Sequence, residues 1–361
     1  MLKKHIEAQS YVMRYGIKIL TLFFTLGTLL GCSRVLSPPA SQKLHTIAFY
    51  NTQNFFDTMD APGKEDDAYT PAGSLKWDQE KYNRKVQKLA STISRIGGGP
   101  AIIGLTEVEN ALVVQDLLNT PQLRKAKYAY IHFEMDDPQG LDLTLIYKPS
   151  AFKVESKKSI KLDYGNNIKA KDILQVNGKL QGQPLTLFVT HWPSRTGTRR
   201  GRQDENLLQK TAVTLRKEIN AIQASNPDAN IIVMGDFDTE PKSAVMEKTL
   251  KATGRPNPYY KEELFNAFYM HYVNGLGSYH SRGDFKMLDQ ILISKSLISG
   301  NGLEYVRGSA KIFDPQEAKF MYGKYKDTPL PTFSGTTYFG GPSDHFPVFI
   351  QLRKTKRKPV T

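Results

Sequence analysis

From Thr46 onward, short apolar segments alternate with segments whose apolar residues recur every three or four positions. Short apolar runs are typical of buried strands, and the longer spacing is typical of helices that bury one face. Helices are predicted over Asp78–Ile96 and Asn206–Ala224, and strands over Thr46–Asn51, Ala101–Glu107, Leu143–Tyr147, Asp172–Leu180, Leu185–His191, Ile231–Gly235, Leu288–Ile293 and Val348–Leu352. Because no long linker interrupts this alternation, residues 45–353 are expected to form one α/β domain.

The chain carries an excess of basic residues. Its 361 residues include 49 Lys and Arg against 35 Asp and Glu, which gives a formal net charge of +14. A basic surface suits a polyanion, which would be nucleic acid, an anionic membrane or a phosphorylated small molecule. Many proteins are basic only for solubility, so the charge indicates the sign of a partner and not its identity. Residues 354–361 are interpreted as a solvated basic tail.

The N-terminus has the pattern of an export signal. Basic residues precede the apolar run Ile17–Leu30, which is too short to span a bilayer comfortably and ends in Leu29-Leu30-Gly31-Cys32. This ending resembles the lipobox of bacterial lipoproteins, which implies that residues 1–31 are a signal peptide and that Cys32 is lipidated. Residues 32–44 would then be a tether to a membrane of the cell envelope. A plain signal peptide or a single membrane anchor is the alternative.

Cys32 is the only cysteine in the chain. A disulfide within the chain is therefore excluded, and a catalytic thiol is disfavoured.

Several predicted strands end in a polar or acidic residue. Asn51, Glu107, His191, Asp236 and Asp289 each stand at such an end. Any one of them could be an ordinary solvated strand end, but ligands in α/β folds bind where strand ends converge, so together they predict one pocket. Oxygen donors of this kind suit Mg²⁺, Mn²⁺ or Ca²⁺, and the lack of a Cys or His cluster argues against zinc.

The segment Asp236-Phe237-Asp238 adds a second carboxylate at one of these ends. In an extended chain, residues two apart point to the same side, so both carboxylates could face one site. Two adjacent carboxylates repel each other unless a cation lies between them or one holds a proton. An Asp-rich turn leading to Pro241 is the alternative interpretation.

In chain order these motifs resemble those of the endonuclease/exonuclease/phosphatase family. The resemblance rests on Asn51, Leu105-Thr106-Glu107, Thr190-His191-Trp192-Pro193-Ser194-Arg195, Gly235-Asp236-Phe237-Asp238, Leu288-Asp289 and Ser343-Asp344-His345-Phe346-Pro347-Val348. It implies a four-layer α/β sandwich, in which two packed mixed β-sheets are flanked by helices. It also implies metal-dependent hydrolysis of a phosphodiester, with Mg²⁺ as the expected cofactor and Mn²⁺ or Ca²⁺ as alternatives.

The resemblance also implies roles for the residues of the metal site. Asn51 and Glu107 correspond to metal-site residues at the ends of the first two strands, with Glu107 the direct ligand. Asp344 corresponds to the remaining acidic residue near the metal. Arg195, which follows the strand of His191, corresponds to a phosphate-binding residue.

The catalytic roles follow in the same way. Asp236 resembles the residue that orients or deprotonates the attacking water, and His191 the histidine that protonates the leaving group or contacts the phosphate. Asp289 resembles the carboxylate that pairs with the last histidine, His345. Asp238 stands where the family usually has Asn, so this chain departs from the family by one negative charge.

The function implied is that of an exported endonuclease with a nucleic acid substrate, tethered to the membrane through its N-terminal lipid. Two alternatives stay open. One is a lipid or inositol-phosphate phosphatase or phosphodiesterase of the same fold, and the other is a non-catalytic surface lipoprotein that uses the fold for binding.

Overall fold

The computed structural model describes residues 43–165, 171–193 and 201–356, with the backbone alone for residues 201–204. The predicted signal peptide, Cys32, Arg195 and the end of the basic tail lie outside the described residues. None of the helices in the described ranges combines the length and apolar character that a bilayer span requires.

The first sheet of the domain has seven strands. Its order is β14, β18, β1, β2, β4, β3, with β15 also paired to β18, and only β1 and β2 run parallel. The strands are β1 (Leu44–Phe55), β2 (Ile102–Val108), β3 (Ala129–Phe133), β4 (Asp142–Tyr147), β14 (Leu303–Tyr305), β15 (Lys311–Ile312) and β18 (Val348–Lys354).

The second sheet, also of seven strands, has the order β5, β6, β7, β8, β13, β10, β9. Here the pairs β7–β8 and β9–β10 are parallel and the other pairs antiparallel. The strands are β5 (Phe152–Ile160), β6 (Ile173–Leu180), β7 (Gln183–His191), β8 (Ile231–Asp236), β9 (Ala252–Thr253), β10 (Leu264–Asn266) and β13 (Asp289–Ile293).

The described residues also contain two short antiparallel hairpins, five α-helices, a π-helix over Val245–Thr249 and several 3-10 turns. The hairpins pair β11 (Tyr279–Ser281) with β12 (Asp284–Lys286), and β16 (Phe333–Ser334) with β17 (Thr337–Tyr338). The helices are α1 (Gln79–Arg95), α2 (Ala111–Asn119), α3 (Gly201–Ser225), α4 (Tyr269–Val273) and α5 (Lys295–Ser299).

Three apolar clusters place these elements in layers. The central cluster lies between the two sheets and joins residues such as Ile47 of β1 to Val189 of β7. A second cluster packs α1 and α2 on the outer face of the first sheet, and a third packs α3 on the outer face of the second sheet. The fold is therefore the expected α/β sandwich, with the order helix, sheet, sheet, helix.

Local sequence explains where α1 begins and ends. The Asp78 side chain accepts a hydrogen bond from the Lys81 N–H at 2.9 Å, which caps the first turn. The buried face carries Tyr82, Val86 and Leu89, in the spacing the sequence predicts. The chain leaves the helix through Gly97, whose φ of 53° favours glycine.

The predicted strands and the two predicted helices are all present, with ends that differ by a few residues. Of the helices and strands that were not predicted, the longest are α2 and β5, with nine residues each. β5 reads Phe-Lys-Val-Glu-Ser-Lys-Lys-Ser-Ile and is exposed along most of its middle, because it lies at the edge of its sheet. An edge strand lacks the apolar run that marks a central strand, so the sequence pattern does not reveal it.

Candidate active site

The predicted polar strand ends meet at one edge of the two sheets. In the second sheet, Asp236 at the end of β8 is in register with His191 of β7 on one side and with Asp289 of β13 on the other. Glu107 of β2 comes from the first sheet and lines the same cavity as His191 and Asp236, which has a volume of about 950 Å³. Asp238, Asp344 and His345 line it too.

Asn51 links the two sheets at this edge. Its side-chain Nδ2 donates to Glu107 Oε1 at 2.9 Å and to Asp236 Oδ2 at 3.0 Å, while its Oδ1 accepts from the Gln53 N–H at 2.9 Å. The side chain is buried, so both carboxylates are fixed by a group that water cannot replace.

A break in the strand register aims Glu107 into the cavity. The pairing of β1 with β2 shifts between Asn51 and Phe55, and Glu107 has a φ of 61°. Such bulges commonly redirect a side chain next to a functional site. The Asn54 N–H then donates to Glu107 Oε2 at 2.8 Å. Burial opposes ionisation of Glu107, but the neighbouring His191, the charge of Lys171 and the hydrogen bond from Asn51 hold its pKa below the ordinary value.

Asp289 and His345 form a buried pair on the other side of Asp236. His345 Nδ1 lies 2.6 Å from Asp289 Oδ2, and its Nε2 lies 3.8 Å from Asp236 Oδ2. Burial alone would lower the pKa of His345, but the charge and hydrogen bond of Asp289 raise that pKa well above its ordinary value. The imidazole is thus held protonated, with one N–H directed at Asp289 and the other toward the cavity.

His191 has a different electrostatic setting. Lys171 Nζ lies 3.1 Å from its Nδ1, and because an ammonium group only donates, Nδ1 accepts and the ring proton is on Nε2. Burial and the Lys171 charge lower the pKa of His191 to about 3. Nε2 lies 3.8 Å from Glu107 Oε1 and 3.9 Å from Asp236 Oδ2. His191 therefore presents a neutral N–H to the site.

Two further carboxylates face the cavity. Asp238 has a φ of 44°, a conformation in which Asn and Asp are enriched, and its N–H donates to Asp236 Oδ1 at 3.0 Å. The structure thus accommodates Asp at a position where the family usually has Asn. Burial and the nearby Glu107 raise the pKa of Asp344 to about 6, although His345 opposes the shift.

A buried lysine that the sequence analysis did not identify bonds to the backbone next to the site. Lys85 of α1 is 1% exposed, and its Nζ donates to the carbonyl oxygens of Gln53 and Pro342 at 2.9 and 2.8 Å and to Thr332 Oγ1. Burial lowers the pKa of Lys85 to about 7, against the attraction of Asp344 and Glu107. It joins the segment after Asn51 to the loop that carries Asp344.

The sequence pattern could have shown that Lys85 is buried, but it could not have shown that Lys171 contacts His191. Lys85 lies three residues after Tyr82 and four before Leu89, which places a cation on the apolar face of a helix. Lys171 reaches His191 only because β6 pairs with β7, and this contact has no local pattern.

The donor set fits a hard divalent cation. Four carboxylates, those of Glu107, Asp236, Asp238 and Asp344, open on one cavity, and oxygen donors of this kind suit Mg²⁺. Ligand atoms of Asp236, Asp289 and His345 also lie within 4.8 Å of one another. Because Asp289 already engages Nδ1 of His345, we keep Asn51, Glu107 and Asp344 as the predicted metal residues, with Glu107 the direct ligand.

The structure thus brings together every site residue that the sequence analysis named within the described ranges. These are Asn51, Glu107, His191, Asp236, Asp238, Asp289, Asp344 and His345. Arg195 and Cys32 lie outside those ranges, so their roles remain predictions.

Comparison with known families gives one match over most of the chain. The model described as the Endonuclease/Exonuclease/phosphatase family matches residues 46–354. A comparison with curated proteins finds no match.

Solved structures share the fold at low sequence identity. TDP2 of D. rerio in complex with a single-strand DNA product is 14% identical, with a TM-score of 0.52 over 86% of this chain and 100% of that one. An endonuclease/exonuclease/phosphatase protein from Bacteroides vulgatus is 16% identical, with a TM-score of 0.53 and coverage of 87% and 100%. The mannosyl-6-phosphatase Bt3783 of Bacteroides thetaiotaomicron is 16% identical, with a TM-score of 0.51 and coverage of 85% and 99%.

Proposed function

Because the chain belongs to the endonuclease/exonuclease/phosphatase family, whose members hydrolyse phosphoester bonds, we propose that it is a metal-dependent phosphodiesterase that cuts nucleic acid as an endonuclease. The observation that carries the proposal is the position of Asp236 Oδ2. This one oxygen lies 3.0 Å from Asn51 Nδ2, 3.9 Å from His191 Nε2 and 3.8 Å from His345 Nε2. The Asp236 carboxylate, the proposed general base, thus lies between the imidazole N–H groups of His191 and His345.

Each residue has a task that its geometry supports. A phosphodiester resists hydrolysis because its negative charge repels the attacking water. Asp236 orients this water and takes its proton, while Asn51 keeps the accepting oxygen in place. His345, held protonated by Asp289, binds a non-bridging oxygen of the phosphate. A divalent cation beside Glu107 would neutralise charge on the phosphate and the leaving group as the bond breaks.

The setting of His191 favours one of the two roles that the sequence analysis left open. An imidazole whose pKa is lowered to about 3 holds no second proton near neutrality, so it is a poor acid for the leaving group. Its Nε2–H can still donate to a phosphate oxygen. We therefore assign His191 to phosphate contact.

Charge around the cavity supports a polyanionic substrate. Lys242, Arg282 and Lys286 line the cavity, where Glu240 and Asp284 are the carboxylates outside the proposed site, and the whole chain has a net charge of +14. Positive side chains at the rim would contact phosphates on either side of the one that is cut. Among the proteins that share the fold, the D. rerio TDP2 structure contains a single-strand DNA product, which favours a nucleic acid substrate.

The test is a substrate panel with the full-length protein. Supercoiled plasmid, RNA, a phospholipid, an inositol phosphate and a hexose phosphate are each incubated with Mg²⁺, with Mn²⁺ and with a chelator. We expect metal-dependent conversion of supercoiled plasmid to the nicked circle. Release of inorganic phosphate or of a lipid headgroup without any nicking would replace the endonuclease with the phosphatase alternative. A folded protein that cleaves nothing in the panel would indicate a binding lipoprotein.

We also propose that the protein is exported and lipid-anchored at Cys32 to a membrane of the bacterial cell envelope. The support is the basic start, the short apolar run and the Leu-Gly-Cys ending of residues 1–32. Metabolic labelling with a radioactive fatty acid tests the proposal, since Cys32→Ala should abolish the label on this protein. Equal labelling of wild type and variant would refute the lipid attachment.

A further inference from the structure

A second cavity continues from the catalytic one. Its volume is about 900 Å³, and it shares Tyr279, Ser281, Arg282 and Asp344 with the wall of the catalytic cavity. The hairpin of β11 and β12 forms the boundary between the two. The other wall of the second cavity is built by the segment 320–339. We call this second cavity the aromatic groove.

Rings line the aromatic groove along its length. Phe320 packs against Tyr325 with centroids 5.7 Å apart and against Phe339 at 5.3 Å. His280, across the groove, has its ring centroid 6.4 Å from that of Tyr325. Tyr325 and Phe339 are 45% and 42% exposed, so large parts of both rings face solvent. Exposed rings clustered in a concave site are typical of ligand binding.

The line of rings begins at the catalytic centre. The ring of Tyr279 lies 4.7 Å from that of His345, and the next residue, His280, faces Tyr325. A ligand that has a phosphate at His345 would therefore extend its next groups over this aromatic wall. The aromatic groove is in this sense a continuation of the catalytic site and not a separate pocket.

The charges of the aromatic groove favour an anion. Arg282 and Lys324 line it, and Lys324 Nζ lies 4.7 Å from the centroid of the Tyr325 ring. Asp344, the acidic residue among its lining residues, belongs to the catalytic carboxylates. Cations interleaved with exposed rings match a chain of phosphates that carries flat bases.

We propose that the aromatic groove binds unpaired nucleotides on one side of the phosphate that is cut, with a base stacked on Tyr325 and phosphates against Arg282 and Lys324. The proposal rests on the nucleic acid substrate proposed above and narrows it to single strands or unpaired ends. Bases in a duplex are covered by their neighbours and present only their edges, so a ring can stack on a base only where the strand is unpaired.

The experiment separates stacking from apolar packing. Tyr325→Leu removes the ring and keeps an apolar side chain, and Tyr325→Trp keeps a ring. Tyr322→Leu is the matched control, because Tyr322 lies on the same loop, is 85% exposed and does not line the aromatic groove. Steady-state kinetics are measured for the full-length protein on a single-stranded oligonucleotide and on bis(p-nitrophenyl) phosphate, which has no base.

We expect Tyr325→Leu to raise KM for the oligonucleotide about tenfold, the usual effect of losing one stacked base, with kcat unchanged. Tyr325→Trp should keep KM near the wild-type value, and Tyr322→Leu should match wild type. Equal oligonucleotide KM values for wild type and Tyr325→Leu would contradict nucleotide binding in the aromatic groove and leave the nuclease proposal intact.

Failure of the proposed function gives a different result. If wild type hydrolyses bis(p-nitrophenyl) phosphate but no oligonucleotide, the nucleic acid substrate is wrong and the aromatic groove proposal falls with it.

Discussion

His345 is the residue whose chemistry depends most on one neighbour. Its imidazole is buried, which disfavours the charged form, and the Asp289 carboxylate 2.6 Å away reverses this effect. The same contact fixes which ring nitrogen faces the cavity. The sequence indicated the pair only through a family resemblance, because Asp289 and His345 are 56 residues apart and no local pattern joins them.

We predict that His345→Ala lowers kcat about 10²- to 10³-fold, the usual effect of removing one donor that stabilises charge in the transition state. The variant should still fold, as judged by circular dichroism, with a lower thermal unfolding midpoint because buried Asp289 loses its partner. His132→Ala is the control, since His132 pairs with Thr144 and Asp142 and lies outside both cavities. A kcat for His345→Ala near that of wild type would remove His345 from the mechanism.

Lys85 shows how a buried amine can support a site without touching substrate. Its Nζ satisfies two carbonyl oxygens that would otherwise be buried without donors. We predict that Lys85→Met lowers the free energy of unfolding by about 1–3 kcal/mol, the usual cost of leaving buried acceptors unsatisfied. Urea titration measures this change, and Lys88→Met, a partly exposed lysine on the same helix, is the control.

The lowered pKa of Lys85 gives this prediction a pH dependence. Between about pH 7 and the ordinary lysine pKa of 10.5, the side chain is protonated in the unfolded chain and neutral in the folded one. The unfolded state then binds more protons, so stability rises with pH. The stability difference between wild type and Lys85→Met should therefore grow by about 1 kcal/mol per pH unit above pH 7. A difference that stays flat or falls would show that Lys85 is buried as an ammonium ion.

At the scale of elements, the sequence revealed the strands that carry the site and missed an edge strand. β1, β2, β7 and β8 lie in sheet centres, so their side chains are buried on both faces and form continuous apolar runs. Their ends are polar because they face the cavity. The bulge at Glu107 could not be predicted, because the pairing of β1 with β2 imposes the left-handed backbone conformation of this residue.

Gly235 tests how closely β7 and β8 must approach to place His191 beside Asp236. A Cβ at Gly235 would lie 2.3 Å from the Thr190 carbonyl oxygen, so the two strands would have to separate. We predict that Gly235→Ala lowers the free energy of unfolding by about 1–3 kcal/mol, typical of overpacking, and reduces kcat. Gly104→Ala is the milder comparison, because its nearest neighbours are side chains of Met234 and Val189 at 3.0 and 3.1 Å. If Gly104→Ala were the more damaging change in activity assays, this account of strand spacing would be wrong.

At the scale of the molecule, the two sheets together form the site, because each sheet carries only part of the set of site residues. Glu107 and Asn51 belong to the first sheet, and His191, Asp236 and Asp289 to the second. The alternation of apolar and amphipathic segments predicted an α/β domain, while the packing of two sheets was expected only from the family resemblance. Distances between sheets depend on contacts across the whole core, which a single sequence does not display.

The basic surface predicts a strong effect of salt. If Arg282, Lys286 and Lys324 each neutralise one phosphate, binding of a single strand should weaken about tenfold or more between 50 and 200 mM salt. The KM for an oligonucleotide measures this, and the KM for bis(p-nitrophenyl) phosphate should change much less. Equal salt dependence of the two substrates would argue against an extended polyanion.

The central claim is that the strand-end residues form one metal-dependent hydrolytic site. The most direct measurement is Mg²⁺-dependent hydrolysis of bis(p-nitrophenyl) phosphate by wild type and Glu107→Gln, with Mn²⁺ binding followed by electron paramagnetic resonance. Our account predicts that wild type binds the ion and turns over, and that Glu107→Gln folds but loses most of both properties. Undiminished metal binding and turnover in Glu107→Gln would contradict it.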